Sequence, residues 1–432
     1  MTRRLLLLAT ALAGPAAAQQ PPPIRQLGPV AARSFIPLTA VLNARALPGG
    51  RVLVHDLGGR KLVLLDSTLA NATIVADTTA ATATAYSGRI AGLIAYRGDS
   101  SLFVDPQSMS MMVIDPLGKI ARVMSVPRAE DAGALVGPLG SAAAYDGRGS
   151  LVYRSPFRFR MMGPPTAGGP PSMPSQPDSS PVVRVDLATR KLDTVGFIKT
   201  PKVNMQVTQD DKGSVRVTSE INPLPVVDEF AVLSDGSIAF VRGRDYHVDF
   251  VRLDGSKTSA PKVPFEWQRL TDDDKVAFID SVKAARQKLL AQSSAGPTPA
   301  GTPAGGATST NDGGQRRTVI QFGDGAGLAP RGGGGPQMEL AFVAPSELPD
   351  YKPPFFAGAV RADDEGNLWV RTIPTRQIPG GPVYDVINGK GELIDRVQIP
   401  PNTNIIAFGP GGDVYLLQRD GGTQTLQRAR IR

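Results

Sequence analysis

Three features of the sequence predict an all-β fold, a β-propeller of six blades with four antiparallel strands in each. A glycine-led phrase, a turn followed by alternating apolar residues, recurs six times. Where no insertion intervenes, the copies lie about 50 residues apart, close to the period of a four-stranded blade. Gly (47) and Pro (39) make up about a fifth of the 432 residues, the punctuation that many short strands require.

The six copies are Leu47–Asp56, Tyr96–Asp105, Tyr145–Arg154, Leu233–Arg242, Ala362–Arg371 and Gly409–Gln418, with Ser100 in place of the glycine in the second. Glycine in a tight hairpin reaches positive φ without a Cβ clash, and the alternation after it forms the next strand. A short strand precedes each phrase, as at Ile90–Tyr96, Phe230–Leu233 and Ala357–Arg361. Two more follow around turns such as Asp115-Pro116-Leu117-Gly118, Asp254-Gly255 and Asn388-Gly389. The last unit supplies only three strands. The missing fourth is expected from Ile24–Val30, which would close the ring by pairing its two ends and hiding the sheet edges.

Two intervals are longer, and both contain visible insertions, at 162–223 and 265–350. The first holds a Pro/Gly/Ser tract and an extra hairpin, Val203–Glu220. The second holds a helix, Thr271–Ala291, and a long Gly/Pro/Thr tract. Thr271 is a suitable N-cap, and Asp272, Asp273 and Asp274 oppose the positive end of the helix dipole. Phe278, Val282, Ala285 and Leu289 are the expected apolar stripe. Residues 163–180 and 293–337 have too little apolar surface to offset their ordering entropy and are expected to be unstructured. Units resume beyond both tracts, so residues 19–432 read as one propeller.

The N-terminus reads as a secretory signal over residues 1–18. Arg3 and Arg4 form its charged region, Leu5–Ala13 its apolar core, and Ala16-Ala17-Ala18 the small residues before a cut near Ala18. The apolar run is short of the roughly 20 residues a bilayer needs, and no later stretch approaches a transmembrane span. The expected product is secreted or periplasmic and monomeric. Removing the signal takes the formal charge from +8 to +6, too modest and too scattered for nucleic acid. The alternation Phe157-Arg158-Phe159-Arg160 reads as a strand with one solvated face.

The phrase Gly366–Arg371 (GNLWVR), the strand and turn Tyr246–Gly255 (YHVDFVRLDG) and the lead-in Leu348–Phe355 (LPDYKPPF) resemble an exported bacterial six-bladed β-propeller family. That family is similar in architecture to NHL and TolB-type propellers. The resemblance covers nearly the whole mature chain and implies architecture rather than activity, because one fold hosts many functions.

Several chemistries are excluded. Cysteine is absent and histidine occurs twice, which removes disulfides, thiol nucleophiles, Cys-based zinc or iron–sulfur sites and His-rich metal centres. There is no G-x-S-x-G elbow and no phosphate-binding G-x-x-x-x-G-K-[ST] loop. In Gly323-Asp324-Gly325-Ala326-Gly327, a superficial dinucleotide loop, Leu328 takes the last glycine position and Pro330 blocks the helix. His55 and His247 could join carboxylates such as Asp56, Asp105 or Asp115 in a metal site. Turn capping explains these carboxylates more simply, so no metal and no cofactor is expected.

Arg154, Arg242 and Arg371 end the equivalent strand in three blades, which would bring three guanidiniums to one mouth, suited to an acidic ligand. Tyr351, in the Pro-rich lead-in, is the aromatic most suited to face a ligand. Trp369 and Tyr415 read as packing between blades. The sequence therefore predicts a non-catalytic binding or scaffold module for a peptide, glycan or protein partner. The alternative is a metal-dependent hydrolase or lactonase with carboxylates at the central channel.

Overall fold

The computed structural model describes residues 21–431 apart from 81, 83, 138–142, 157–176, 203, 210–214, 295–306, 313–314, 321–336, 377 and 421. The expected signal over 1–18, the Phe157–Arg160 alternation, most of the 163–180 tract and Gly323–Gly327 lie outside the described residues.

Six four-stranded antiparallel sheets follow one another along the chain. Blade 1 comprises Val41–Ala46, Val52–Asp56, Lys61–Leu65 and Ala72–Ala76, and blade 2 Gly92–Ala95, Ser101–Asp105, Ser110–Ile114 and Ile120–Ser125. Blade 3 comprises Ala144–Tyr145, Ser150–Arg154, Ser179–Asp186 and Leu192–Lys199, and blade 4 Glu229–Val232, Ile238–Arg242, His247–Val251 and Lys257–Ser259. Blade 5 is Phe355–Ala362, Leu368–Thr372, Val383–Ile387 and Leu393–Gln398. Blade 6 takes Thr403–Gly409, Asp413–Asp420 and Thr423–Arg430 from the C-terminus and Val30–Arg33 from the N-terminus. First strands of neighbouring blades touch around most of the ring and are its innermost strands.

The ring closes, but not through the whole segment expected. Val30 pairs with Ala429, Ala32 with Arg428 and Arg33 with Gln427, completing blade 6. Ile24–Gln26 instead runs parallel to Leu393–Gln398 on the outer edge of blade 5. The intervening Leu27 and Gly28 bridge the two sheets, their N–H groups donating to Gln398 and Arg430 carbonyls. One short segment thus fastens two neighbouring blades.

Turn chemistry sets the first hairpin of each blade. Gly50, Gly149, Gly236, Gly366 and Gly412 all have positive φ. In blade 2 the corresponding residue is Asp99 (φ 60), while Ser100 is extended. The glycine-equivalent position in that copy is therefore Asp99 rather than Ser100. Asp tolerates the left-handed region better than most residues. The carboxylates near these turns satisfy backbone donors: Asp56 accepts from the Ala40 and Gly59 N–H groups, and Asp105 from those of Ser87 and Gln107. Asp115 accepts likewise from Leu117 and Lys119.

Apolar faces pack blade against blade. Trp369, 1% exposed, lies against Tyr384 and Phe408, and its indole N–H donates to Asp363 at 3.0 Å. Tyr415 is equally buried, between blades 6 and 1. Each such side chain removes large apolar area from water, worth roughly 1.5–3 kcal/mol before the entropy of ordering.

The expected extra hairpin pairs Asn204–Gln209 with Val215–Ile221 and adds Gln337–Phe342 in parallel, a separate sheet rather than a seventh blade. Within 293–337, Ala307–Asp312 pairs with Gln315–Ile320. The helix spans Asp272–Ser294, and Thr271 caps it: Asp274 N–H donates to Thr271 Oγ1 at 3.2 Å while Asp274 Oδ2 accepts from Thr271 N–H at 2.9 Å. Its buried contacts differ from the expected stripe. Lys275 and Ile279 are buried, Phe278 is half-buried and Ala285 is exposed. Lys275 Nζ reaches Asp350 at 2.8 Å, and Ile279 packs with Leu224, Val343, Leu348 and Ile373. Tertiary docking onto blade 5 selects this face, because Ile373 follows that blade's second strand. Among the described residues no helix is long and apolar enough to cross a membrane.

Candidate active site

A cavity of about 820 Å³ opens over one end of blade 5. Its floor includes Ala359 from the first strand, Arg371 from the second, Asp385 from the third and Arg396 from the fourth. Pro21 and Ile24, held by the parallel pairing of the N-terminal segment, complete one rim. The loop Gly380–Pro382 forms another part of the wall. Gln398 Nε2 steadies it by donating to the Pro379 and Gly381 carbonyls, each at 3.0 Å. A bulge in the first strand between Phe355 and Val360 contributes Gly358, at φ 78. Its N–H donates to Glu229 of blade 4 at 2.7 Å.

Asp385 is the chemically distinctive group. It sits in the strand Val383–Ile387, between apolar neighbours, and is 1% exposed. Tyr246 of blade 4 donates its hydroxyl to Asp385 Oδ2 at 2.9 Å, and Arg396 Nε donates to Oδ1 at 3.2 Å. Burial pushes the Asp385 carboxyl up to about 6, although the Arg396 charge and both hydrogen bonds pull the other way. Burial, with the Asp385 charge beside it, likewise raises the Tyr246 phenol well above its ordinary value. Alternation along the strand turns Asp385 toward blade 4 and its neighbour Tyr384 toward blade 6.

The expected arginine cluster does not form. Arg154 and Arg371 occupy equivalent register positions, five residues after Gly149 and Gly366, but Arg242 comes one residue later relative to Gly236. Since side chains alternate, Val241 takes the equivalent position and packs toward blade 5. Arg242 points the other way. It donates to the Phe197 carbonyl of blade 3 at 2.8 Å and pairs with Asp228 at 3.0 Å and Asp249 at 2.7 Å. Arg371 alone of the three lines the cavity, and its Nη1 donates to Asn404 Oδ1 at 2.8 Å. Arg154 has no hydrogen bond or ion pair among the described residues. Tyr351 is exposed, bridges Arg269 through the backbone and lies off the cavity.

Neither histidine joins a metal site. His55 is fully buried with its ring edge-on to Tyr86 and Phe103, and burial lowers it to about 4. His247 lies between Asp245 at 2.8 Å and Asp249 at 3.2 Å. Among the described residues no three His, Asp or Glu side chains converge as an ion would require. The six innermost strands carry one carboxylate, Glu229, already engaged by the Gly358 N–H. Among the described residues the donor set fits no resident divalent ion.

Neither a family model nor a curated protein matches the sequence. Solved structures of similar architecture include a gluconolactonase from Xanthomonas campestris, 11% identical with a TM-score of 0.38, covering 95% of this chain and 99% of its own. Regucalcin, a calcium-binding protein from Agrobacterium tumefaciens, is 12% identical with a TM-score of 0.39, covering 95% and 98%. Virginiamycin B lyase from Staphylococcus aureus is 11% identical with a TM-score of 0.34, covering 91% and 96%. The likeness concerns the fold alone, and the resemblance to NHL and TolB-type propellers holds only as six-bladed architecture. The expectation of a non-catalytic binding module is corrected on the geometry of the site itself. That expectation rested on the lack of a catalytic constellation in the sequence, yet folding brings Tyr246, Asp385 and Arg396 together beside a cavity.

Proposed function

We propose that this propeller is a hydrolase of small esters or lactones that works without a resident metal, with Asp385 as its proton-carrying group. The observation that carries the reading is a buried carboxylate, poised near pH 6, on the wall of an 820 Å³ cavity. Perturbed acids in clefts mark functional sites more often than chance. Each Asp385 oxygen keeps a lone pair beyond the one taken by Tyr246 or Arg396.

Ionised Asp385 takes a proton from water as the water oxygen bonds to the acyl carbon. It returns that proton to the leaving oxygen as the acyl–oxygen bond breaks, so one water is consumed and Asp385 is regenerated. Tyr246 and Arg396 hold the carboxylate in place, and the Arg396 charge keeps it ionised at neutral pH. The test is a panel of small lactones and aryl esters with the wild type and Asp385→Asn. Loss of about 100-fold or more in kcat, typical for removing a general base, supports the reading. No hydrolysis by the wild type across the panel, or equal turnover by the variant, overturns it.

A further inference from the structure

Two cations on the blade 6 side of blade 5 lack a carboxylate partner. Arg361, on the innermost strand, is opposite Trp369, and Arg371 is opposite Tyr384. Both guanidiniums act electrostatically on the same Tyr384 phenol. Among the described residues the Arg361 guanidinium makes no hydrogen bond or ion pair, and the Arg371 guanidinium has one hydrogen-bond partner, the neutral Asn404 amide. Arg361 is partly buried and Arg371 exposed; the partly buried arginines nearby differ from Arg361, since Arg242 has two aspartates and Arg396 has Asp385. Tyr384 accepts from the backbone of Ile405 on the first strand of blade 6, so its own hydroxyl proton is free to donate. Burial lowers Arg361 from its ordinary value, the signature of a cation whose neutralising charge is missing.

We propose that Arg361, Arg371 and Tyr384 form a carboxylate-binding subsite between blades 5 and 6, which holds the acid group of a small substrate or product. Arg371 also lines the Asp385 cavity, so a ligand anchored here on the blade 6 flank extends toward Asp385 on the blade 4 flank. Planar guanidiniums suit a carboxylate through paired, charge-assisted hydrogen bonds, and a half-desolvated setting strengthens them. The owner of the carboxylate rests on the hydrolase reading; the anion site itself does not.

The test is calorimetric titration of the full chain with malonate, and separately with inorganic phosphate, at low ionic strength. Saturable malonate binding is expected, weakened about tenfold by Arg361→Gln and again by Arg371→Gln, the loss of a charge-assisted hydrogen bond each time. Tyr384→Phe, which keeps the ring packing, is expected to weaken it several-fold and serves if the arginine variants fail to fold. Asp385→Asn should bind malonate at least as tightly while losing turnover, so failure of the subsite and failure of the catalytic assignment are distinguishable. Absence of malonate binding by the wild type, undiminished binding by the folded arginine variants, or binding of phosphate alone overturns the subsite.

Discussion

Tyr246 and Asp385 are 139 positions apart in the chain and 2.9 Å apart in the fold. Their hydrogen bond crosses from blade 4 to blade 5 and fixes the orientation of a carboxylate that burial raises to about 6. A tyrosine whose φ is 46 after a two-strand turn thus becomes part of the site.

Tyr246→Phe removes a buried donor from Asp385 while preserving the ring among Phe265 and Phe355. Leaving that oxygen short of a partner costs about 1–3 kcal/mol. A lower midpoint in urea unfolding is expected, together with an upward move of the acid limb of the pH–rate profile from about 6. An unmoved limb would separate Tyr246 from the working carboxylate.

Asp385 and His55 act on stability with opposite signs. Asp385 holds its proton more tightly when folded (about 6) than when unfolded, so stability falls as pH rises from about 4 to about 6. His55 holds its proton less tightly when folded (about 4, against 6.5), so stability falls as pH drops from about 6.5 to about 4. Each contributes on the order of 3 kcal/mol across its window. Their contributions largely offset in the wild type. Asp385→Asn should therefore unmask acid lability between pH 6.5 and 4, and His55→Gln should unmask the reverse slope. Urea midpoints measured at half-unit pH intervals read both.

Ring closure depends on Val30–Arg33. Starting the chain after Arg33 would strip the outer strand from blade 6 and expose the edge of Thr423–Arg430. Concentration-dependent scattering and a markedly lower thermal midpoint are expected. Starting it at Gly28 removes the parallel pairing to blade 5 and the Leu27 bridge but leaves Val30–Arg33 in blade 6. That shorter deletion should keep the ring intact and lower turnover, since Pro21 and Ile24 rim the cavity.

Asp99→Gly relieves a left-handed residue at the position where the five other phrases place glycine. A gain of up to about 1 kcal/mol is expected, since glycine populates this region without a Cβ clash. A loss would show that the Asp99 carboxylate, beside Arg45, contributes more than its backbone strain costs.

Much of the architecture was written locally. Turn glycines, period-two alternation and Asp-led turns act over a few residues, so the six phrases and the Thr271 cap could be read directly. The helix face could not, because Lys275 and Ile279 are buried by blade 5 and the insertion rather than by any periodicity of their own. The arginine trio failed for a related reason. One extra residue in the fourth phrase reverses the direction of Arg242, and only the strand register reveals it.

By itself, the sequence determined the blade count, the insertions and the poverty of thiol and imidazole chemistry, because these follow from composition and short-range backbone preference. The tertiary structure alone decided which two sheets the N-terminal segment joins and which carboxylate is desolvated. It also decided which arginines go without an acidic partner. Desolvation and charge pairing are set by neighbours brought from distant blades, and no local pattern of residues encodes who those neighbours will be.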